Sequence, residues 1–311
     1  MIITVTFNPA IDKTAEVETL QLHGLNRLCN VIQDAGGKGI NVSKTIRALQ
    51  GESIATGFLA GSSGNFIASY LNDHQIQHDF IWVDGMTRTN LKVLDKEMNL
   101  TEFNETGPSV TIAQVEQLLS KILSYVKEDT FVILSGNVPL GVPTTIYQDM
   151  IISIHDKGGH VILDADGELF ANGVLSKPDV IKPNKYEVMS YFKLGDDTSN
   201  EQLISHAQTL LNEKTKLIVI SMGKEGSIFI TKQAIWKVDA VRVEAHSSVG
   251  AGDAMVAGIA YAMQHAYEIE ELIKLAVATS TGAVMTKGTQ PADKHVIEQL
   301  MQKVTMTKME V

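Results

Sequence analysis

Apolar positions in this chain fall into two alternating patterns. Short, wholly apolar runs such as Phe131–Leu134 and Val161–Leu163 stand between longer segments with apolar residues every third or fourth position. The runs predict strands buried on both faces, and the longer segments predict amphipathic helices. Residues 1–7 read as a first strand. Asn41–Gln50 predicts a helix ending at Gly51, Ile54–Leu59 a strand, Phe66–Leu71 a helix and Phe80–Val83 a strand. Val115–Val126 and Thr144–His155 read as helices, the second closed by Gly158 and Gly159. Val180–Ile181 and Leu217–Ile220 add two buried strands. Strands separated by helices predict an α/β fold with a mostly parallel central sheet between two helical layers.

Two stretches break the alternation. Residues 14–33, and Thr87–Leu94 with Thr101–Phe103, read as half-buried strands with no helix between them. Together they predict a small antiparallel β lid, spanning about 12–33 and 86–104, beside the main sheet. A lid of this kind is suited to excluding water from a reaction.

Composition narrows the class. At ~150 residues per domain, 311 residues suggest two domains or one large α/β unit with an insertion. The net charge of -10 argues against a nucleic-acid or anionic-membrane partner. A phosphorylated ligand would then need a few locally placed cations. Cys29 is the only cysteine, which excludes an internal disulfide and a cysteine-rich metal centre. Read as a buried thiol, it suits a reducing cytoplasm. No apolar run approaches the ~20 residues of a membrane helix, and the N-terminus lacks the basic segment of a signal peptide.

The segment with most chemistry is Ser248-Val249-Gly250-Ala251-Gly252-Asp253-Ala254. Met255, Val256, Ile259, Ala260 and Met263 follow at helical spacing, so a helix starts at or near Gly250. Its first amides have no partner within the helix and favour an anion. Asp253 sets a carboxylate beside them. An anion hole with a base next to it fits phosphoryl transfer to a hydroxyl, although an acid in a first helical turn is also an ordinary dipole partner.

Other segments supply candidates for the rest of a site. Asp12, after the first strand, is placed to accept hydrogen bonds from sugar hydroxyls, or serves only as a turn residue. Gly36-Gly37-Lys38-Gly39-Ile40-Asn41 is a second glycine-rich loop entering a helix. It is not a Walker A loop, because Ile32 and Gly39 stand where a glycine and a hydroxyl residue are required. Its amides, Lys38 and Asn41 suit a phosphorylated polyol. Strand alternation puts Arg88, Asn90 and Lys92 on one face, either a sugar-phosphate clamp or a solvated surface. Asn184 and Glu187, after Lys182-Pro183, suit a capping box and equally a water-mediated contact to magnesium. Ser221-Met222-Gly223-Lys224-Glu225-Gly226 reads as a strand and tight turn on a nucleotide side. His74 and His78 read as surface residues rather than metal ligands. Without an N-terminal Gly-x-Gly-x-x-Gly, an oxidoreductase reading is disfavoured. A noncatalytic sugar-phosphate sensor would not need Asp253 after its glycines.

Five segments in this order resemble the PfkB, ribokinase-like, carbohydrate kinases. They are Asn8-Pro9-Ala10-Ile11-Asp12, Gly36–Val42, Thr87-Arg88, Lys182-Pro183-Asn184 with Glu187, and Val249–Asp253. Ser248-Val249 before the glycines, the lysine at 38 and the Thr-Arg-x-Asn-x-Lys pattern are similar to the branch that acts on sugar phosphates. Asn137, in Ser135-Gly136-Asn137, departs from the serine more common in the family. The resemblance implies a ribokinase-like three-layer sandwich over 1–311, a cytoplasmic enzyme and a homodimer paired through the lid. It implies ATP with Mg2+ as cofactors and fructose 1-phosphate or a related ketohexose phosphate as substrate. Asp253 would be the base, with Gly250, Ala251 and Gly252 stabilising the transferred group. Asp12, Gly37, Lys38, Asn41, Arg88, Asn90, Asn137 and Arg27 would bind the sugar phosphate. Lys182, Asn184, Ser221, Gly223, Gly226 and Ser248 would face the nucleotide, with Glu187 reaching the metal through water.

Overall fold

The structure is a computed structural model that describes residues 1–97 and 99–310. In chain order the strands are β1 (Ile2–Thr6), β2 (Ala10–Glu16), β3 (Cys29–Gly36), β4 (Ile54–Ala60), β5 (Gln77–His78), β6 (Ile81–Val83), β7 (Arg88–Leu94) and β8 (Leu100–Asn104). They continue as β9 (Phe131–Ser135), β10 (His160–Asp164), β11 (Val180–Ile181), β12 (Leu217–Ser221), β13 (Ser227–Ile230), β14 (Ala234–Val238) and β15 (Met306–Glu310). The large sheet has the order β15-β14-β13-β12-β11-β10-β9-β1-β4-β5, with β6 also beside β4. It is parallel from β5 to β12 and antiparallel from β12 to β15.

The apolar runs are explained by the two cores they serve. Successive residues of a strand point to opposite faces. Val132 and Leu134 of β9 enter one core with Leu118, Tyr147, Ile151 and Phe170. Phe131 and Ile133 enter the other, with Val42, Ile46, Val256 and Ile259. A strand between two helical layers therefore has no solvent face for a polar residue.

The lid has the order β3-β2-β7-β8. It is antiparallel within β2/β3 and within β7/β8, and parallel where β2 meets β7. Asp12 is thereby placed opposite Asp34 on one side and Asn90 on the other.

Two features depart from the sequence reading. Cys29 is exposed rather than buried. It opens β3, whose first five residues are exposed and only whose last three, at the root, are buried. The sheet also gains β13, β14 and β15 beyond the last apolar run read from the sequence. The helices Gly167–Leu175, Ile269–Val284 and Lys294–Met301 likewise add to those read. Among the described residues no helix is long and apolar enough to cross a membrane.

Candidate active site

The helix Ala251–Gln264 begins where the glycines require it. Gly250 is its N-cap in the left-handed region, with φ 81°, which costs glycine little. Ala254 N donates to Gly250 O at 2.9 Å, while Ala251 N is 3.4 Å from Ser248 O. The helix start is therefore formed from residues with little side chain, next to a cavity lined by Val249, Gly250, Gly252 and Asp253. Asp253 is only 7% exposed. Asn41 Nδ2 donates to its Oδ2 at 2.8 Å. Burial, then repulsion from Asp164, pushes the Asp253 carboxyl up to about 6, against the pull of Lys38, Asn41 and Lys182.

Asn41 comes from the helix Lys38–Ala48, whose N-cap is Gly37. Gly37 has φ 116°, and a Cβ there would lie 2.7 Å from Thr6 Cγ2. Glycine is thus needed both for conformation and for the close approach to β1. Lys38, the first residue of this helix, turns toward the end of β10. Its Nζ is 3.4 Å from Asp164 Oδ1, and Lys182 Nζ is 3.2 Å from the same oxygen. Burial opposes the Lys38 charge, but Asp164, Asp253, Glu187 and Asp166 outweigh it and hold the ammonium above its ordinary value. Asp164 is held below its ordinary value despite its burial by Lys182 and Lys38. The sequence reading gave Lys38 to the substrate's own phosphate. It lines both cavities beside Arg88 and Asn90, and its pairing with Asp164 also sets it among the groups around Asp253.

The lid contributes the opposite wall. Asn90 Nδ2 donates to Asp12 Oδ1 at 3.2 Å, and Lys92 Nζ is 4.0 Å from that oxygen. Arg88 Nε donates to Asn8 O at 3.2 Å. Burial lowers the Arg88 pKa, with Asp12 opposing. The face that alternation assigned to Arg88, Asn90 and Lys92 does line the cavity.

This main cavity, of about 440 Å³, holds Asp12, Asn41, Lys182, Asn184, Glu187 and Ser221 as well. A second cavity of about 290 Å³ shares Gly37, Lys38, Arg88 and Asn90 with it and adds Thr6, Asn8, Asn104, Ser135, Asn137 and Asp166. The buried Thr6 Oγ1, Asn8 Oδ1, Asn41 Oδ1, Asn90 Oδ1 and Ser135 Oγ have no hydrogen-bond partner. Such groups are costly to leave unpaired, and here they surround a space fit for a polyol.

Asn184 and Glu187 do form a capping box. Glu187 N donates to Asn184 Oδ1 at 2.8 Å, and Asn184 N to Glu187 Oε2 at 2.7 Å. Glu187 also faces the cavity, and burial raises its pKa.

Some expected residues lie outside both cavities. Arg27 is exposed in the loop between β2 and β3. Ser248 is exposed, and Gly223 and Gly226 lie on the turn after β12. At Gly226, with φ 97°, a Cβ would lie 2.0 Å from Val238 O, so this glycine has a packing reason of its own. Asp164, Thr6, Ser135 and Asn104 were missed. Asp164 and Ser135 are the last residues of buried parallel strands, the end at which such sheets bind ligands. That signal was available for them. Asn104 stands opposite Asn90 in the β7/β8 pair, and this lid packing brings it to the cavity with Arg88.

Residues 5–295 match the profile of the pfkB family carbohydrate kinases. The chain is 29% identical over 309 residues to the 1-phosphofructokinase of Bacillus subtilis (strain 168), covering 99% of this chain and 100% of that protein. It is 33% identical over 282 residues to the tagatose-6-phosphate kinase of Staphylococcus epidermidis, covering 89% and 90%. Among solved structures, phosphofructokinase-2 from Escherichia coli in complex with fructose-6-phosphate superposes with a TM-score of 0.90 at 23% identity, covering 97% of this chain and 98% of that one. That last likeness is one of fold. The chain belongs to the pfkB family of carbohydrate kinases and is a sugar kinase.

Proposed function

We propose that the protein transfers the γ-phosphoryl group of ATP to the 6-hydroxyl of fructose 1-phosphate, giving fructose 1,6-bisphosphate. The observation that carries this reading is Asp253. It is buried, raised toward neutrality, hydrogen-bonded by Asn41 and set at a helix start near Lys38 and Lys182, the two lysines that pair with Asp164. A carboxylate in that setting is suited to take the proton of an attacking hydroxyl.

The sugar phosphate lies between sheet and lid, its hydroxyls on Asp12, Gly37, Asn41 and the unpaired amide oxygens of Asn8 and Asn90. Arg88, with Asn137, receives its phosphate. The 6-hydroxyl gives its proton to Asp253 as its oxygen attacks the γ-phosphorus. The Gly250, Ala251 and Gly252 amides and Lys38 balance charge on the transferred group. ATP runs from there along Lys182, Asn184 and Ser221 toward the turn bearing Gly223 and Gly226.

Magnesium fits this arrangement as an ion carried by ATP. Among the described residues no cluster of three acidic or histidine side chains could hold it alone. Mg2+ commonly keeps several waters and takes phosphate oxygens as ligands, leaving Glu187 a water-mediated contact. When bound, it would neutralise charge on the phosphates.

We read residues 1–311 as one kinase domain whose lid is formed by about 12–33 and 86–104, acting in the cytoplasm. A homodimer through the lid is supported by exposed Leu22, Leu25, Val31, Leu100 and Phe103 on it. Arg27 lies on the same exposed loop as Leu22 and Leu25.

The relation to a tagatose-6-phosphate kinase favours tagatose 6-phosphate as the second reading. An ADP-release assay with fructose 1-phosphate, tagatose 6-phosphate and fructose 6-phosphate decides between them. The highest kcat/KM is expected for fructose 1-phosphate. A higher value for either of the others replaces this reading.

A further inference from the structure

Lys44 is a buried lysine with no place in the transfer just described. It lies on the helix Lys38–Ala48, one turn beyond Asn41, and is 3% exposed. Its Nζ donates to Ala35 O at 3.2 Å and to Thr289 Oγ1 at 3.1 Å. The ammonium also stands 5.3 Å from the centre of the Tyr70 ring. Burial pushes its pKa down to about 8, against Asp34, Asp12 and Asp253, so it remains mostly charged at neutral pH.

The two acceptors belong to different parts of the machine. Ala35 is in the buried root of β3, where the lid joins the body. Thr289 is in the segment between the helices Ile269–Val284 and Lys294–Met301, and it backs the start of the Asp253 helix. A Cβ on Gly250 would lie 3.8 Å from Thr289 Cα. A second tie runs parallel to the first. Gln290 Nε2 donates to Asp34 Oδ1, and Asp34 stands opposite Asp12 in the lid. Gly288 makes this approach feasible: with φ 63°, it carries no Cβ, and one would lie 2.6 Å from Asp34 Oδ2.

We propose that Lys44 is a positioning residue that ties the lid root to the segment behind the Gly250 amides. Closure of the lid on a sugar phosphate is thereby transmitted to the helix start that receives the phosphoryl group. The consequence is energetic coupling: sugar phosphate and nucleotide each bind better when the other is present. This rests on the proposed reading of Gly250–Asp253 as the transfer site.

The test compares wild type with Lys44→Met, Thr289→Val and Lys44→Arg. Two quantities are read. One is the calorimetric affinity of a non-hydrolysable ATP analogue with and without the ketohexose phosphate that wild type turns over best. The other is amide hydrogen exchange over 248–254 in the free protein. Wild type should bind the analogue more tightly with the sugar phosphate present. Lys44→Met and Thr289→Val should cut that enhancement by about tenfold. They should also speed exchange over 248–254 by roughly tenfold, the scale of losing a buried hydrogen bond to a charge. Lys44→Arg should restore part of both. Wild-type coupling and exchange in the two disrupting variants would overturn the proposal, even with a lower Tm, because Lys44 would then be a packing group only. Absence of coupling in wild type would overturn it too. Thr289→Val keeps its shape and carries the test if Lys44→Met fails to fold. If wild type binds none of the three ketohexose phosphates, the proposed substrate fails. The exchange measurement, which needs no sugar, then decides the role of Lys44 by itself.

Discussion

Asn41 Nδ2 and Asp253 Oδ2, 212 positions apart in the chain, are 2.8 Å from each other and join two helix starts. Each helix starts at a glycine in a conformation with positive φ, Gly37 and Gly250. The contact fixes one oxygen of the base and leaves Asn41 Oδ1 buried without a partner. One residue can thus orient the base while its free oxygen awaits a hydroxyl.

Asp253→Asn should lower kcat by ~10²–10⁴, the usual weight of a general base. Steady-state turnover of the folded variant checks this, and near-normal kcat would remove Asp253 from the chemistry. The same variant should be more stable than wild type at neutral pH. The folded carboxyl is raised from 3.8 to about 6. Its contribution therefore favours folding below about pH 4 and is lost as pH rises through about 6. Denaturant unfolding should show a gain of about 3 kcal/mol near pH 8 and almost none near pH 4.

The same shift sets the pH profile. Only the ionised carboxylate can accept a proton, so kcat/KM should fall on the acid side with a midpoint near 6. A midpoint near the ordinary carboxylate value would mean that burial of Asp253 is relieved before catalysis.

Arg88→Ala should raise KM for the sugar phosphate by roughly tenfold or more, the scale of one charge-assisted contact. The affinity for ATP should change little, because the side chain bonds the Asn8 carbonyl on the lid side. Equal losses for both ligands would contradict the clamp.

Lys182→Met should destabilise the fold by about 2–4 kcal/mol, because it removes one cation from the buried Asp164. Lys38 remains as a partner and limits the loss. Asp164 titrates below its ordinary value, so its contribution is present above the usual carboxylate range and is lost as pH falls. The deficit of the variant should accordingly shrink in acid, read by urea unfolding at a series of pH values.

Asp179→Asn tests stability at the far end of the sheet. Asp179 meets His155 Nε2 at 2.9 Å and His160 Nδ1 at 2.8 Å and accepts the Val161 amide at 2.8 Å. Burial works against its charge, but these bonds hold its pKa below the ordinary value. A loss of about 2 kcal/mol near neutrality is expected with kcat unchanged. A change in kcat without loss of stability would contradict a structural role.

The α/β class and the buried parallel strands were legible because burial on two faces forces wholly apolar runs. The helix start at Gly250 was legible because few residues other than glycine fit there. Asp12, Asn41, Arg88, Asn184 and Asp253, each singled out in the sequence, line one cavity. Strands β13 to β15 were not read as part of the sheet. For β15 the reason is distance, since partners such as Ala234 and Glu310 lie far apart in sequence; β13 and β14 are adjacent antiparallel strands, with Ile230 opposite Ile235, and their apolar runs carried a local signal.

By itself the sequence determined most of the parallel strands, the helices between them, the helix start at Gly250 and several side chains with usable chemistry. These follow from periodicity, turn geometry and charge, all of them local. Only the tertiary structure decided that Lys38 pairs with Asp164 and that Cys29 is exposed. It also decided that Asp253 is raised toward neutrality and that Lys44 bridges Ala35 and Thr289. Each of these depends on distance and dielectric between groups remote in the chain, and these are properties of packing rather than of residue order.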